Sequence, residues 1–339
     1  MLLYVLLIAT LSFHPDATVR ALQADEARLG SIRQLFTLKK TQLDAARQSR
    51  IPDMLTWVAH QPNIDIAERI LAVRALRRLG SHRQLVSLTQ LMRKTANQRD
   101  IALARETARL FYSFGAKPLL EEAIDHPDPE VQATAAKSGA GGSTLCELIA
   151  KSPWPMVRAA AAEGLSVHPA LTTCLKLGLR DTDENVIRAT CESIGRLGLK
   201  ALKSDLEKIA LSPKLARPVR GEALRTLQRF GETSIAQAII ENHLQHGGMV
   251  ELTLEAISAL DARLVQLELH QQLINSKSPP ILAAVTHLVF SHAPEQREQF
   301  WRRIQSQISA PQRQRLRERF ERLAPAKRLG ESIDRSAPD

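Results

Sequence analysis

Asp183-Glu184-Asn185-Val186-Ile187-Arg188-Ala189-Thr190-Cys191-Glu192-Ser193-Ile194-Gly195-Arg196-Leu197-Gly198 is the stretch that decides the fold. Asp183 is a residue that caps a helix, and the apolar run from Val186 to Ile194 recurs at helical rather than strand spacing. Leu197-Gly198 closes the segment where a helix ends on a left-handed residue. Cys191, small and central, is the landmark for moving outward. The matching position falls on Ala161, Ala135, Thr107 and Ala72 going back, and on Ala223, Ala256 and Ala284 going forward. The interval averages about 30 residues, a period that means stacked supersecondary units.

The punctuation between these landmarks fits helix pairs. Leu79-Gly80, Phe114-Gly115, Leu197-Gly198 and Phe230-Gly231 end first helices, while Lys117-Pro118 and His168-Pro169 open second ones, where the missing proline N–H costs nothing. Pro127-Asp128-Pro129, Ser152-Pro153-Trp154-Pro155, Ser212-Pro213, Ser278-Pro279-Pro280 and Ala310-Pro311 separate the repeats. No alternating run flanked by Asn-Gly or Asp-Gly occurs, so strands are not expected. The predicted fold is all-α, a right-handed α-α superhelical solenoid of about eight to nine helix pairs. Residues 22–61 form an atypical N-terminal capping repeat, with Leu29, Ile32 and Phe36 on one apolar stripe and Met54, Leu55, Trp57 and Val58 on a second short helix. The array occupies 62–309, and a capping helix follows at 310–324, with apolar Leu316, Phe320 and Leu323. Residues 325–339 have almost nothing apolar to bury and are expected to be disordered.

Three of these segments read Pro155-Met156-Val157-Arg158-Ala159-Ala160-Ala161, Val186-Ile187-Arg188-Ala189-Thr190-Cys191 and Pro218-Val219-Arg220-Gly221-Glu222-Ala223-Leu224. They resemble HEAT repeats, in particular the short variety first associated with phycobilisome lyases. The likeness is good over residues 120–232, weaker over 62–119 and 248–309, and absent in the tail. Asp128-Pro129-Glu130-Val131-Gln132-Ala133 departs from it, with Gln132 where arginine is usual. The resemblance implies a structural role for Arg158, Arg188 and Arg220: burying their stems on the neighbouring repeat and bonding turn carboxylates or carbonyls, with Asp128, Asp181 and Asp183 as candidates.

The 339 residues are 44% hydrophobic and 24% charged, an ordinary folded composition, and only 4% aromatic, which disfavours a β-sandwich or barrel. Cys146, Cys174 and Cys191 lack any paired C-x-x-C spacing and sit in apolar runs, so each reads as a small core residue. Cys146 and Cys174 hold nearly equivalent places in successive second helices and are expected to remain reduced. Residues 1–21 read as a signal peptide or a hydrophobic N-terminal segment: Leu2 to Phe13 is apolar apart from Thr10 and Ser12 and too short to span a bilayer. An exported or periplasmic location follows if it is a signal, and a cytoplasmic one if it is not. Membrane contact is expected only through Leu2 to Phe13 if it stays uncleaved.

No motif announces catalysis, and no cofactor or metal is expected. Gly139-Ala140-Gly141-Gly142 lies at a helix–helix turn rather than between strand and helix, and His243 and His246 lack companion ligands. The formal charge of +10 makes nucleic acid a rival partner. The excess lies in residues 1–120 and 294–339, however, and the second helices, taken as 81–96, 116–126, 143–152, 169–181, 199–212, 232–246, 262–278 and 294–309, carry no continuous cationic track. The HEAT resemblance also raises DNA-repair glycosylases and bilin lyases, but Trp57, Trp154 and Trp301 lie too far apart in repeat order to share a site. The expected function is therefore a non-catalytic scaffold that binds another protein along its concave second-helix surface. Arg83, Arg93, Lys94, Glu121, Glu122, Lys176, Arg180, Lys203, Glu241 and Gln271 are the candidates for that surface.

Overall fold

The structure, a computed structural model, describes residues 13–93, 98–168, 173–247, 250–260, 269–273 and 278–292, with scattered positions between 301 and 318. The chain divides into two units, Met1–Leu197 and Gly198–Asp339. In the first, α1 (Pro15–Gln23), α2 (Asp25–Leu35), α3 (Lys40–Gln48) and α4 (Ile51–His60) lead into alternating first and second helices. These are α5 (Ile66–Leu79) and α6 (His82–Arg93), α7 (Gln98–Ser113) and α8 (Lys117–Glu121), α9 (Pro129–Lys137) and α10 (Thr144–Lys151), α11 (Pro155–Gly164) and α12 (Leu175–Gly178), then α13 (Glu184–Leu197). The second unit holds α14 (Lys203–Leu211), α15 (Arg217–Arg229), α16 (Ser234–His246), α17 (Val250–Leu260), α18 (Leu269–Leu273) and α19 (Pro279–His292). Among the described residues there is no strand, and each unit is an all-α stack of helix pairs.

The stacking follows one rule within each unit. First helices pack on first helices in the order α2, α5, α7, α9, α11, α13, and each second helix packs on the first helix that follows it. In the second unit α15, α17 and α19 form the same ladder, with α16 packed on α17 and α18. Small residues permit that closeness: Ala72, Thr107, Ala135, Ala161, Cys191, Ala223 and Ala256 are all fully buried. A methyl group at Gly164 in α11 would overlap the Ala136 carbonyl of α9, so backbone touches backbone there. The buried threonines of this layer bond their own helix; Thr107 Oγ1 donates to Leu103 O at 2.8 Å and Thr190 Oγ1 to Val186 O at 2.7 Å.

Several expectations are corrected. Ala284 is only half-buried while Ile281 and Val285 are fully buried, so the periodic landmark slips in α19. Gly115, Gly198 and Gly231 take the left-handed conformation, but Gly80 does not; its N–H simply reaches back to Leu76 O at 2.7 Å. The second helices α8 and α12 are shorter than their sequence spans. Phe36 and Trp57, read as cap core, are 37% and 42% exposed. The helix α1 crosses the 21/22 boundary, with Leu22 fully buried. The capping-helix stripe of Leu316, Phe320 and Leu323 lies outside the described residues, as do residues 1–12 and 325–339.

The clearest correction concerns sulfur. Cys146 and Cys174 are joined in a disulfide, with Cα atoms 5.3 Å apart, whereas Cys191 is free and buried. The expectation that both remain reduced treated each as a core residue of its own helix. One repeat period instead brings equivalent positions of α10 and the residue preceding α12 side by side, and the two second helices pack together. Both cysteines are half-buried, which leaves room for the bridge.

Candidate interaction surface

The repeat arginines fasten each first helix to what surrounds it. Arg158 donates through Nη1 to Ser152 O, at the end of α10, at 2.9 Å. Its Nε and Nη2 meet the two oxygens of Asp181 at 2.7 and 2.8 Å, just ahead of α13. Asp181 was an expected partner, and this fork-on-fork geometry is the strong form of the pair. Arg69 holds the same register, three residues before Ala72, and donates from Nε to Ala59 O at 3.0 Å and from Nη1 to Asp100 at 3.1 Å. Arg28 bonds Leu22 O at 3.0 Å and Glu68 at 3.3 Å. Gln132, standing where arginine is usual, still reaches the preceding carbonyl: its Nε2 donates to Ile124 O at 2.8 Å. Capping that carbonyl is therefore what Arg69, Gln132 and Arg158 share. The second task is taken over there by Arg105 of α7, which clasps Asp128 at 3.0 and 2.7 Å.

Arg188 and Arg220 do not follow Arg158. Arg188 is half-buried and makes no hydrogen bond or ion pair among the described residues, and Asp183 instead caps its own helix through Asn185 N at 2.9 Å. The Arg220 Nε is buried without a partner among the described residues. Burial alone would raise the carboxyls of Asp128 and Asp181. The hydrogen bonds they accept from Arg105 and Arg158, and from backbone N–H groups, nevertheless hold both below the ordinary aspartate value. The guanidinium groups of Arg105 and Arg158 are raised chiefly by the same hydrogen bonds.

On the second helices, Arg83 of α6, Glu121 and Glu122 around the end of α8, and Lys176 and Arg180 around α12 are exposed. In the second unit Glu241 of α16 is exposed, while Lys203 is half-buried between Glu232 at 2.8 Å and Glu207 at 3.9 Å. The side chains of Arg93, Lys94 and Gln271 lie outside the described residues. Exposed apolar side chains stand among these charges: Trp57 on α4, Val86 on α6 and Leu177 on α12, with Leu211 on α14 in the second unit. Helical periodicity could not reveal them, because it assigns apolar residues to the buried face.

The first helices present a different surface that the sequence reading missed. Glu106 of α7 is buried, its side chain 4% exposed, beneath Arg74 Nε at 3.2 Å, Arg77 Nη1 at 4.0 Å and Arg109 Nη1 at 3.3 Å. These groups, with Phe36 and Arg78, line a hollow of about 400 Å³. A second hollow of about 370 Å³ lies between Tyr112, Gly115, Lys117, Lys137, Ser138, Glu163, Ser166, Val167 and Arg196. Lys137 Nζ sits 2.7 Å from Glu163, and chiefly that hydrogen bond raises its ammonium above the ordinary lysine value. A buried glutamate ringed by arginines at helical spacing was the available signal, but nothing in the sequence marked Glu106 as buried. Among the described residues, no group of His, Cys, Asp and Glu is placed to hold a metal ion, and no helix is long and apolar enough to cross a membrane.

No family model matches the sequence, and no curated protein does. Solved structures do. Human deoxyhypusine hydroxylase in complex with glycerol is 15% identical, covering 73% of this chain and 94% of that one, with a TM-score of 0.30. The complex of CpcE and CpcF of phycocyanin lyase from Nostoc sp. PCC7120 is 17% identical, covering 80% and 94%, with a TM-score of 0.35. Kap121p is 14% identical over 88% of this chain but 39% of its own, with a TM-score of 0.47. In fold the chain is an all-α stack of helix pairs that resembles HEAT repeats, with Arg69, Gln132 and Arg158 each fastened to a carbonyl that precedes its first helix.

Proposed function

We propose that the chain is a non-catalytic scaffold that binds an extended segment of another protein along its second-helix surface. The observation that carries this reading is apolar area standing exposed among mixed charges. Val86 is 65% exposed beside Arg83 on α6, and Leu177 is 49% exposed beside Lys176 on α12. Side chains of that size kept in water forgo roughly 1.5–3 kcal/mol each of burial, and their recurrence on second helices offers an extended segment apolar footholds along one layer. Trp57 supplies an aromatic anchor, and charges of both signs steer encounter and reject wrong partners. The half-buried Cys146–Cys174 bridge supports action in an oxidising compartment, and so an exported protein, because such bonds persist there.

Affinity capture from a native extract, run in parallel with the parent and with Val86→Asp and Leu177→Asp, tests the reading. A protein retained by the parent and lost from both variants supports it. Recovery of nucleic acid alone, with binding that falls steeply as salt rises, replaces it with a nucleic-acid-binding role.

A further inference from the structure

We propose that the first-helix face of the first unit is a separate recognition groove, which takes an acidic peptide segment by seating its carboxylate side chains in the two hollows flanking α7. The inference does not depend on the second-helix surface. In the first hollow three guanidinium groups converge on the single carboxylate of Glu106, and among the described residues Arg74 and Arg77 pair with no other carboxylate. Glu106 is buried while the three arginines are 47–48% exposed. The buried anion thus orients the forks and leaves the outer N–H edges of Arg74 and Arg77 open to solvent, while Arg109 turns its other nitrogen to Glu130. Guanidinium edges in that arrangement match a planar carboxylate in bidentate fashion.

The second hollow repeats the design with other residues. Lys117, Lys137 and Arg196 line it with Glu163; Lys137 pairs with Glu163 and Arg196 with Glu192, which leaves Lys117 as its cation without a carboxylate among the described residues. Each hollow also has an exposed aromatic ring at its edge, Phe36 in one and Tyr112 in the other. Arg109 and Tyr112 are three residues apart on α7, hence on one face and about 4.5 Å apart along its axis. An extended peptide advancing about 3.3 Å per residue that fills one hollow reaches the next within a few residues.

Charge spacing selects a peptide over a nucleic acid. Glu106, Glu130, Glu163 and Glu192 alternate with the cations along this face. A duplex backbone carries a charge about every 1.7 Å and would meet those carboxylates between the cations. Separated carboxylate side chains meet only the hollows.

The test is fluorescence anisotropy of the full-length, oxidised protein with a labelled oligoglutamate spaced by glycine, alongside a labelled oligonucleotide, and with inorganic phosphate as competitor. The variants are Arg77→Gln and Lys117→Gln. Arg77 is the most distant partner of Glu106, at 4.0 Å, and Lys117 pairs with no carboxylate among the described residues. Both should therefore melt like the parent. The expected result is salt-sensitive peptide binding weakened about threefold or more by each variant, and unchanged by Arg83→Gln on the second-helix surface. The proposal is overturned if the peptide does not bind or if the two variants bind it as the parent does. It is also overturned if Arg83→Gln weakens binding equally, if the oligonucleotide binds more tightly through the same residues, or if phosphate displaces the peptide at equal concentration.

Discussion

Arg158 and Asp181 meet across the boundary between two successive repeats, with both carboxylate oxygens engaged at 2.7 and 2.8 Å and both side chains largely buried. Breaking such a pair from one side leaves an uncompensated charge. Arg158→Ala should therefore cost about 3 kcal/mol or more in urea denaturation. Arg188→Ala, at the same register but without a bonded partner, should cost well under half as much. Equal losses would show that the stem rather than the fork carries the stability.

Acid should loosen the same boundaries. The carboxyls of Asp128 and Asp181 are depressed on folding, so their stabilising contribution is fully present above the ordinary aspartate value. It is lost as pH falls through the depressed folded values. The urea midpoint is expected to drop from about pH 4 downward, and Asp181→Asn should flatten that limb of the curve.

Overpacking should be felt most where backbones touch. Gly164→Ala forces a methyl group onto the Ala136 carbonyl, and Ala161→Phe enlarges a fully buried site. Each should lower stability by about 1–3 kcal/mol, read as a shift in thermal midpoint. Gly30→Ala, which meets nothing within 4 Å, is the control and should melt at or above the parent temperature.

The Cys146–Cys174 bridge closes a loop spanning 28 residues. In the chain-entropy account, removing it by the double change to serine costs about 3–4 kcal/mol. Mass analysis without reductant should show Cys191 as the thiol that alkylates only after unfolding. Detection of three free thiols in the native protein, purified without reductant, would overturn the bridge.

How much of this was legible follows from what each signal measures. The period of small residues located the first helices because close approach of backbones admits only Ala, Cys, Thr or Gly, and it failed at Ala284, where the contacts fall on Ile281 and Val285. Arg158 with Asp181 was readable because motif and turn aspartate sit at fixed offsets. Arg105 with Asp128 was not, since Gln132 divides the usual role between two side chains on different helices. The hollows around Glu106 and Glu163 escaped for a related reason: their members come from several repeats, and no single window contains them. The disulfide was misread because thiols were weighed within their own helices, while the repeat spacing itself aligned them.

Asp128 uses one carboxylate for two purposes. It accepts the Glu130 and Val131 N–H groups at the start of α9 at 3.2 and 3.1 Å, and it accepts the Arg105 fork from α7. Helix initiation in one repeat and attachment to the repeat before it are therefore a single event. The first turn of α9 cannot unwind without releasing a guanidinium on its neighbour, nor can the neighbour let go without weakening that turn. Local opening at this joint is charged to two repeats at once, so α7 and the start of α9 loosen together rather than one after the other.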